Sequence, residues 1–158
     1  MKDKLCVLNE LLTNFSYENG GLVNIHTNIE IKHRTNNNGY FVAKIGNKIH
    51  LYHRLIFLFH YKFLPKMVDH INHNKTDNRI ENLRIATNTQ NQQNSKLRKD
   101  NVSGVKNVHW HLPTKKWRVS LRVNKKKIWV GEFKDLDLAK SVAIEARKNY
   151  HGEYACHG

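Results

Sequence analysis

The sequence predicts an α+β chain built in two parts. The first is a helix and hairpin that lead into a strand–loop–strand–helix unit, and the second is a three-stranded antiparallel sheet packed on one helix. Three observations carry this. In "KWRVSLRVN" Val119, Leu121 and Val123 alternate with Arg118, Ser120, Arg122 and Asn124, the period of a strand with one covered face. Residues 136–150 space their apolar side chains at the helical period. Between them and the N-terminus lies "VDHINHNKTDNRIENLRIATNTQN" (68–91), a polar loop flanked by two short runs of strand-forming residues. A length of 158 residues suits one ordinary domain or two small ones.

In chain order, Leu5, Leu8, Leu11 and Leu12 recur at helical spacing and predict a short amphipathic helix over 4–13. "YENGGL" (17–22) is a turn between short strands, and "NNNG" (36–39) leads into "YFVAKIGNKIHLY", a hairpin around Gly46-Asn47. "HRLIFLFHYK" (53–62) is a buried helix that stops before Pro65. Strands follow at 67–71 and 83–87. Thr87 with Gln90 three residues on forms a capping box and starts a helix that carries Asn91. The connector "NQQNSKLRKDNVSG" is polar and basic, so the parts are expected to be residues 1–95 and 104–158, joined by a linker at 96–103. Strands at 104–110, 116–124 and 126–133 then precede the last helix. Its expected cap is Asp135, its stripe is Leu138, Ala139, Val142, Ala143, Ala146 and Tyr150, and its stop is Gly152.

With 27 Lys+Arg against 13 Asp+Glu, the formal charge is +14, and it is denser beyond residue 100 than before it. Such an excess points to a polyanion, nucleic acid before an anionic membrane surface. Cys6 and Cys156 stand alone near the two ends, which argues against a cysteine zinc knuckle and a disulfide framework. The N-terminus lacks the pattern of a signal peptide, and the most apolar stretch, "LYHRLIFLFHYKFLP", is too short and too charged to span a bilayer. A reducing, cytoplasmic location is expected.

Hydrolysis of a phosphodiester needs an activated water, a cation near the developing charge and groups that hold both in line. His70 titrates near neutrality and suits a general base. Asp69 and Asn91 are the hard oxygen donors that a Mg²⁺-like ion takes. Neighbours on a strand point to opposite sides, so Asp69 and His70 share a site only at a strand end or bulge. Asn82 carries both an amide donor and an acceptor, enough to tie the loop down and orient the His70 ring. The same asparagines also serve as turn and cap residues. His50, His53, His60 and His73 lack regular ligand spacing and read as exposed or partly packed, although His53 begins the buried helix.

The stretch "HRLIFLFHYKFLPKMVDHINHNKTDNRIENLRIATNTQN" resembles the HNH (ββα-metal) nuclease motif, in the branch found in phage and intron-encoded homing endonucleases. "LNELLTNFSYENGGLVN" is similar to the helix and hairpin that precede the motif there, so the likeness covers about residues 5–95. It implies a ββα-metal domain in which Asp69 and Asn91 hold one divalent ion, Mg²⁺ or Mn²⁺, His70 is the general base, and Asn82 orients it. The family pattern usually has Gly near position 73, where this chain has His73.

A sheet with a basic, aromatic face can read DNA. "SGVKNVHW", "KWRVSLRV", "IWVGEF", an Ala-rich helix and "YHGEYA" resemble the Apetala-two type of DNA-binding domain over about 103–155. That resemblance implies DNA contacts at Lys106, Trp110, Ser120, Arg122, Lys127 and Trp129. Trp117 reads as core, and Lys125 and Lys126 read as a solvated turn. Several arginines of that pattern are Lys, Val or Ser here, so its target sequence does not carry over. The expected protein is a metal-dependent endonuclease of duplex DNA that nicks, phage or mobile-element encoded and acting in a bacterial cytoplasm as a monomer or dimer. The alternative is a non-catalytic sequence-specific DNA-binding protein, a phage regulator with a decayed nuclease domain.

Overall fold

The computed structural model describes residues 2–124 and 126–157, and the expectation for Lys125 lies outside them. The fold is α+β, and the chain divides into two compact units, Met1–Ala86 and Thr87–Gly158.

In the first unit, α1 (Lys2–Asn14) runs into the hairpin of β1 (Phe15–Glu18) and β2 (Gly21–Asn24), which β3 (Ile29–Glu30) extends to three strands. Asn19 and Gly20 both take positive φ in the two-residue turn, which an Asn-Gly pair does at little cost. A second antiparallel sheet follows, of β4 (His33–Thr35), β5 (Phe41–Ile45) and β6 (Lys48–Leu51). Ile45 pairs with Lys48 across the Gly46-Asn47 turn, as the sequence predicts.

The helix α2 (Tyr52–Tyr61) is the centre of this unit and buries Tyr52, His53, Leu55, Ile56, Phe57 and Leu58. Around it pack Leu11, Leu22, Ala43, Ile45, Val68 and Leu83, with Val7, Leu8 and Phe15 partly covered. Of the four leucines on the expected stripe of α1, Leu5 and Leu12 are exposed, because residues seven apart share one flank of the helix while Leu11, Leu8 and Val7 take the side toward the core. Tyr52 ties the layers: its hydroxyl accepts from Leu22 N at 2.7 Å and donates to Glu30 Oε1 at 3.3 Å. Helix α2 ends where Lys62 enters the left-handed region at φ 59° and its N–H bonds Leu58 O. The Arg54 guanidinium then holds the next segment by the carbonyls of Pro65 (3.0 Å) and Lys66 (3.2 Å).

That anchoring leads to β7 (Val68–His70), which pairs antiparallel with β8 (Leu83–Ile85) in the register Val68–Ile85, Asp69–Arg84 and His70–Leu83. The second strand is shorter than expected: a 3₁₀ turn over Ile80–Asn82 precedes it, and Thr87 is a cap instead of a strand residue.

The second unit opens with α3 (Asn88–Gln93), begun by the expected capping box: Thr87 Oγ1 accepts from Gln90 N at 3.2 Å and Gln90 Oε1 accepts from Thr87 N at 2.8 Å. The sequence places the division at 96–103, whereas it falls after Ala86. The reason lies at the end of α3, where the Lys106 ammonium donates to Gln93 O at 2.8 Å and also to Ser95 O, so α3 and the connector belong to the second body. There β9 (Val108–His111), β10 (Lys116–Val123) and β11 (Lys126–Phe133) form an antiparallel sheet in the order β11-β10-β9. Val105, Val108 and Val119 pack on Ala139 and Ala143 of α4 (Leu136–His151), with Trp117, Val130, Phe133 and Leu136 around them.

Asp135 caps α4 by accepting from Leu138 N at 2.7 Å, and Gly152 ends it at φ 55°. The inward stripe differs from the predicted one. Leu138 and Tyr150 are about half exposed, while Ala139, Ala143, Ala146 and Arg147 are buried. The small alanines let helix and sheet approach closely, and Tyr154 and Cys156, from the segment after the helix, cover the end assigned to Tyr150. Among the described residues no helix is long and apolar enough to cross a membrane.

Candidate active site and nucleic-acid interface

Asp69 and His70 are the last two residues of β7, and both are buried, at 7% and 4% exposure. A strand end is where neighbouring side chains can serve one site, and burial removes the water that would otherwise weaken their electrostatics. The Asp69 carboxylate receives Arg84 Nε from the paired strand at 3.1 Å, a pair with little exposure on either side.

The loop that leaves β7 is held by its own amides. Asn82 Oδ1 accepts from Asn72 N at 3.0 Å, and Asn82 Nδ2 donates to Asp77 O at 2.7 Å. Asn72 Oδ1 accepts from Asn74 N, and Asn74 Oδ1 accepts from Thr76 N. Asp77 takes Arg79 through two bonds of 2.9 Å and Asn72 Nδ2 at 2.7 Å, and the Arg79 bonds hold its carboxyl well below the usual range. His73 stands at φ 63°, the conformation that explains the Gly of the family pattern; His tolerates it better than most side chains.

This loop delivers Asn78, 4% exposed, to the catalytic candidate: Asn78 Oδ1 lies 3.1 Å from His70 Nε2. With the amide oxygen accepting, the imidazole proton sits on Nε2 and the lone pair on Nδ1. Direct orientation of the ring therefore falls to Asn78. Asn82, expected in that role, acts one step removed through the carbonyl of Asp77, the residue before Asn78. Burial lowers the His70 pKa and Lys75 reinforces this, against the Asn78 bond, Asp69 and Asp77; the ring is neutral at neutral pH.

Sequence reading missed three further neighbours. His53, expected to be exposed or partly packed, is 4% exposed, and its ring meets His70 edge to face at 4.9 Å. Burial pulls its pKa down to about 3, with His70 and Arg54 adding to the shift, and its Nδ1 has no hydrogen-bond partner. Tyr40 closes the group, 5.3 Å from the His53 ring and 5.9 Å from His70. Lys75 lies over the Tyr40 ring at 4.7 Å and donates to Asn38 O, placing a cation beside the site. The position of His53 at the start of a buried helix was the one available signal.

Asn91 is carried by α3 in the second unit, half-buried, with its N–H on Thr87 O. Among the described residues no three His, Cys, Asp or Glu side chains come together as a metal cluster. The hard donor that β7 presents is the buried Asp69 carboxylate, and the Asn91 amide stands on the second unit. Such hard donors in small number suit a Mg²⁺-class ion, which keeps most of its waters, and do not suit zinc.

In the second unit the register sorts the expected DNA contacts. Ser120 pairs with Trp129 and Arg122 with Lys127, so these four share one face; Arg122 and Lys127 are exposed, and Trp129 is 63% exposed. A bulge at Val130 of β11, opposite Val119 and Ser120, sets this register. Trp110 pairs with Trp117, and Val108 with Val119, so the pleat carries Trp110 to the opposite side. There it meets Trp117 edge to face at 5.0 Å. His109 and Arg118 occupy the basic face instead, and Arg118 donates to Glu132 Oε1 through Nε at 2.8 Å and Nη2 at 2.6 Å. The Lys106 ammonium is taken up by two carbonyls, Gln93 O and Ser95 O.

Residues 50–93, which take in α2, the β7–β8 pair with its loop, and α3, match the family model described as HNH endonuclease. The chain is thus similar to HNH endonucleases over this stretch. It is 32% identical over 96 residues to Protein 3.8 of Escherichia phage T7, a match that takes in 58% of this chain and 77% of the phage protein, and it belongs to that protein's family. Among solved structures it is similar to that of "DNA binding and cleavage by the HNH homing endonuclease I-HmuI", over 92% of each chain, with a TM-score of 0.46 and 18% identity.

Proposed function

We propose that this protein is a divalent-metal-dependent endonuclease that nicks duplex DNA in a bacterial host cell, with His70 as general base and the second unit as the module that places it. The observation that carries the reading is the buried pair at the end of β7: a neutral His70 held through Nε2 by Asn78, next to the Asp69 carboxylate. Its Nδ1 is the basic nitrogen and takes a proton from water as the water oxygen attacks the scissile phosphorus. The bond to the 3′-oxygen breaks, leaving a 5′-phosphate and a 3′-hydroxyl. A Mg²⁺-class ion held by Asp69 and Asn91 would supply positive charge at the phosphate. Asn82 and Asn78 keep the imidazole oriented, and Arg84 keeps the Asp69 carboxylate in place. Lys75, at the rim, favours the approach of a polyanion. Ser120, Arg122, Lys127 and Trp129 form the proposed DNA-facing surface of an Apetala-two-like sheet, with phosphates met by the cations and sugars or bases by the indole.

Conversion of supercoiled plasmid by the purified protein with Mg²⁺, Mn²⁺ or EDTA, beside His70→Ala, tests this. Open-circular product that EDTA abolishes and the variant lowers about 10²-fold or more is expected. Equal cleavage by the variant would remove His70 as base. Binding with no metal-dependent breakage, on plasmid and on phage and host DNA alike, would make this a DNA-binding protein instead.

A further inference from the structure

Between α3 and the C-terminal end of α4, a cavity of about 410 Å³ is lined by residues that include Asn88, Gln92, Lys106, Asn107, Arg122 and His151, all in the second unit. None of its lining side chains is a carboxylate. His151, the last residue of α4, is 8% exposed; the Arg122 backbone is the one hydrogen-bond acceptor near its ring, and neither ring nitrogen has a partner of good geometry. Asn107 Oδ1 is buried and also unpartnered. A protein rarely leaves such groups unmet unless something polar enters.

The wall is rigid. Asn107 sits at φ 69° with its carbonyl on Ser120 N at 3.1 Å, opposite the bulge of β11, and the carbonyl of Lys106 receives the fully buried Arg147. The Lys106 ammonium is pinned to Gln93 O and Ser95 O at the cavity edge, and the Arg122 side chain is exposed at its mouth.

We infer that this cavity is a phosphate-binding site, built to seat one phosphodiester of the nucleic-acid backbone between Arg122 and His151. Arg122 supplies the charged fork, and the His151 imidazole an N–H donor from the floor. Asn88 and Gln92 supply amide donors from α3, and a turn of the Asn107 amide presents Nδ2 in place of Oδ1. This deepens, and rests on, the reading of the second unit as a DNA-placing module: Arg122 is assigned to the backbone and not to a base edge. The site therefore positions the protein without reading sequence.

The test uses the full chain in EDTA and a 20-base-pair duplex of arbitrary sequence, with affinity read by fluorescence anisotropy over a range of salt. Wild type is expected to bind, and Arg122→Gln to flatten the slope of log K against log salt by about 0.9, which corresponds to about eightfold weaker binding at 0.1 M salt. The loss should be the same on duplexes of different sequence, and exposed Lys140→Gln on α4 should change neither quantity. An unchanged slope in Arg122→Gln, with wild type binding, overturns the pocket and leaves the DNA reading standing; a sequence-dependent loss returns Arg122 to base reading. The second arm adds inorganic phosphate to ¹⁵N-histidine-labelled protein, with His151→Leu used to assign the ring signal. A His151 shift that Arg122→Gln abolishes supports the pocket. If wild type ignores DNA and this shift remains, the DNA reading fails and the site takes free phosphate. If the shift is absent in wild type, the pocket is overturned whatever the DNA result.

Discussion

Replacing Asn78 by Ala separates the orientation of His70 from every other part of the site. The Nε2–Oδ1 bond of 3.1 Å joins two neutral groups and is worth about 1 kcal/mol net, so its loss lowers the preference for the tautomer with Nδ1 basic by about fivefold. The ring also loses the one side-chain bond that sets its angle at Nε2, while His53 and Tyr40 meet it through ring faces and edges. Together these predict a kcat about 10- to 100-fold lower at saturating DNA. Affinity measured in EDTA should be unchanged, because Asn78 is buried. A buried N–H left unmet also costs about 1–3 kcal/mol of stability, read by urea denaturation. The bond favours the protonated ring, so its removal lowers the His70 pKa further and moves the acid limb of the kcat profile to lower pH. Asn78→Asp keeps an acceptor and adds charge, so it should retain most of the rate and move that limb upward. Wild-type kcat in Asn78→Ala, or an acid limb that stays put in both variants, would refute the assignment of the ring's orientation to Asn78.

Other changes probe the remaining contacts. Arg84→Ala leaves the buried Asp69 carboxylate without its cross-strand partner and should cost about 3–5 kcal/mol in a denaturation experiment; a loss under 1 kcal/mol would mean that the pair is solvated in solution. Asn82→Ala removes the bonds to Asn72 N and Asp77 O, and should cost about 2 kcal/mol and lower kcat less than Asn78→Ala does. His53 has its pKa pulled down to about 3, so between pH 6.5 and 3 the unfolded chain takes up a proton that the folded one refuses. Stability therefore falls on acidification through that window, by up to about 1.4 kcal/mol per pH unit. His53→Phe should flatten that dependence; an unchanged slope would show that another group causes it.

Much of this protein is legible along the chain because the forces concerned act between near neighbours. The capping box of Thr87 and Gln90, the Gly46-Asn47 turn, the alternation of β10 and the cap at Asp135 are all decided within a few residues. The turns of the loop after Asp69 and His70 are equally local, since Asn72 and Asn74 each accept from the backbone N–H two residues on.

Tertiary structure decided the rest, through contacts between residues far apart in sequence. It brought His53 and Tyr40 against His70, where burial makes both histidines neutral. It chose Asn78 over Asn82 for the ring, a choice that depends on how the loop folds back. A one-residue bulge at Val130 of β11 and the pairing of Trp110 with Trp117 decided which side chains share the basic face, because one step of register moves a residue to the other side of a sheet. The two carbonyl bonds of Lys106 placed α3 with the second unit, against the composition of the connector. Residue types name the chemistry available to this chain, and packing over long separations selects which of them act together.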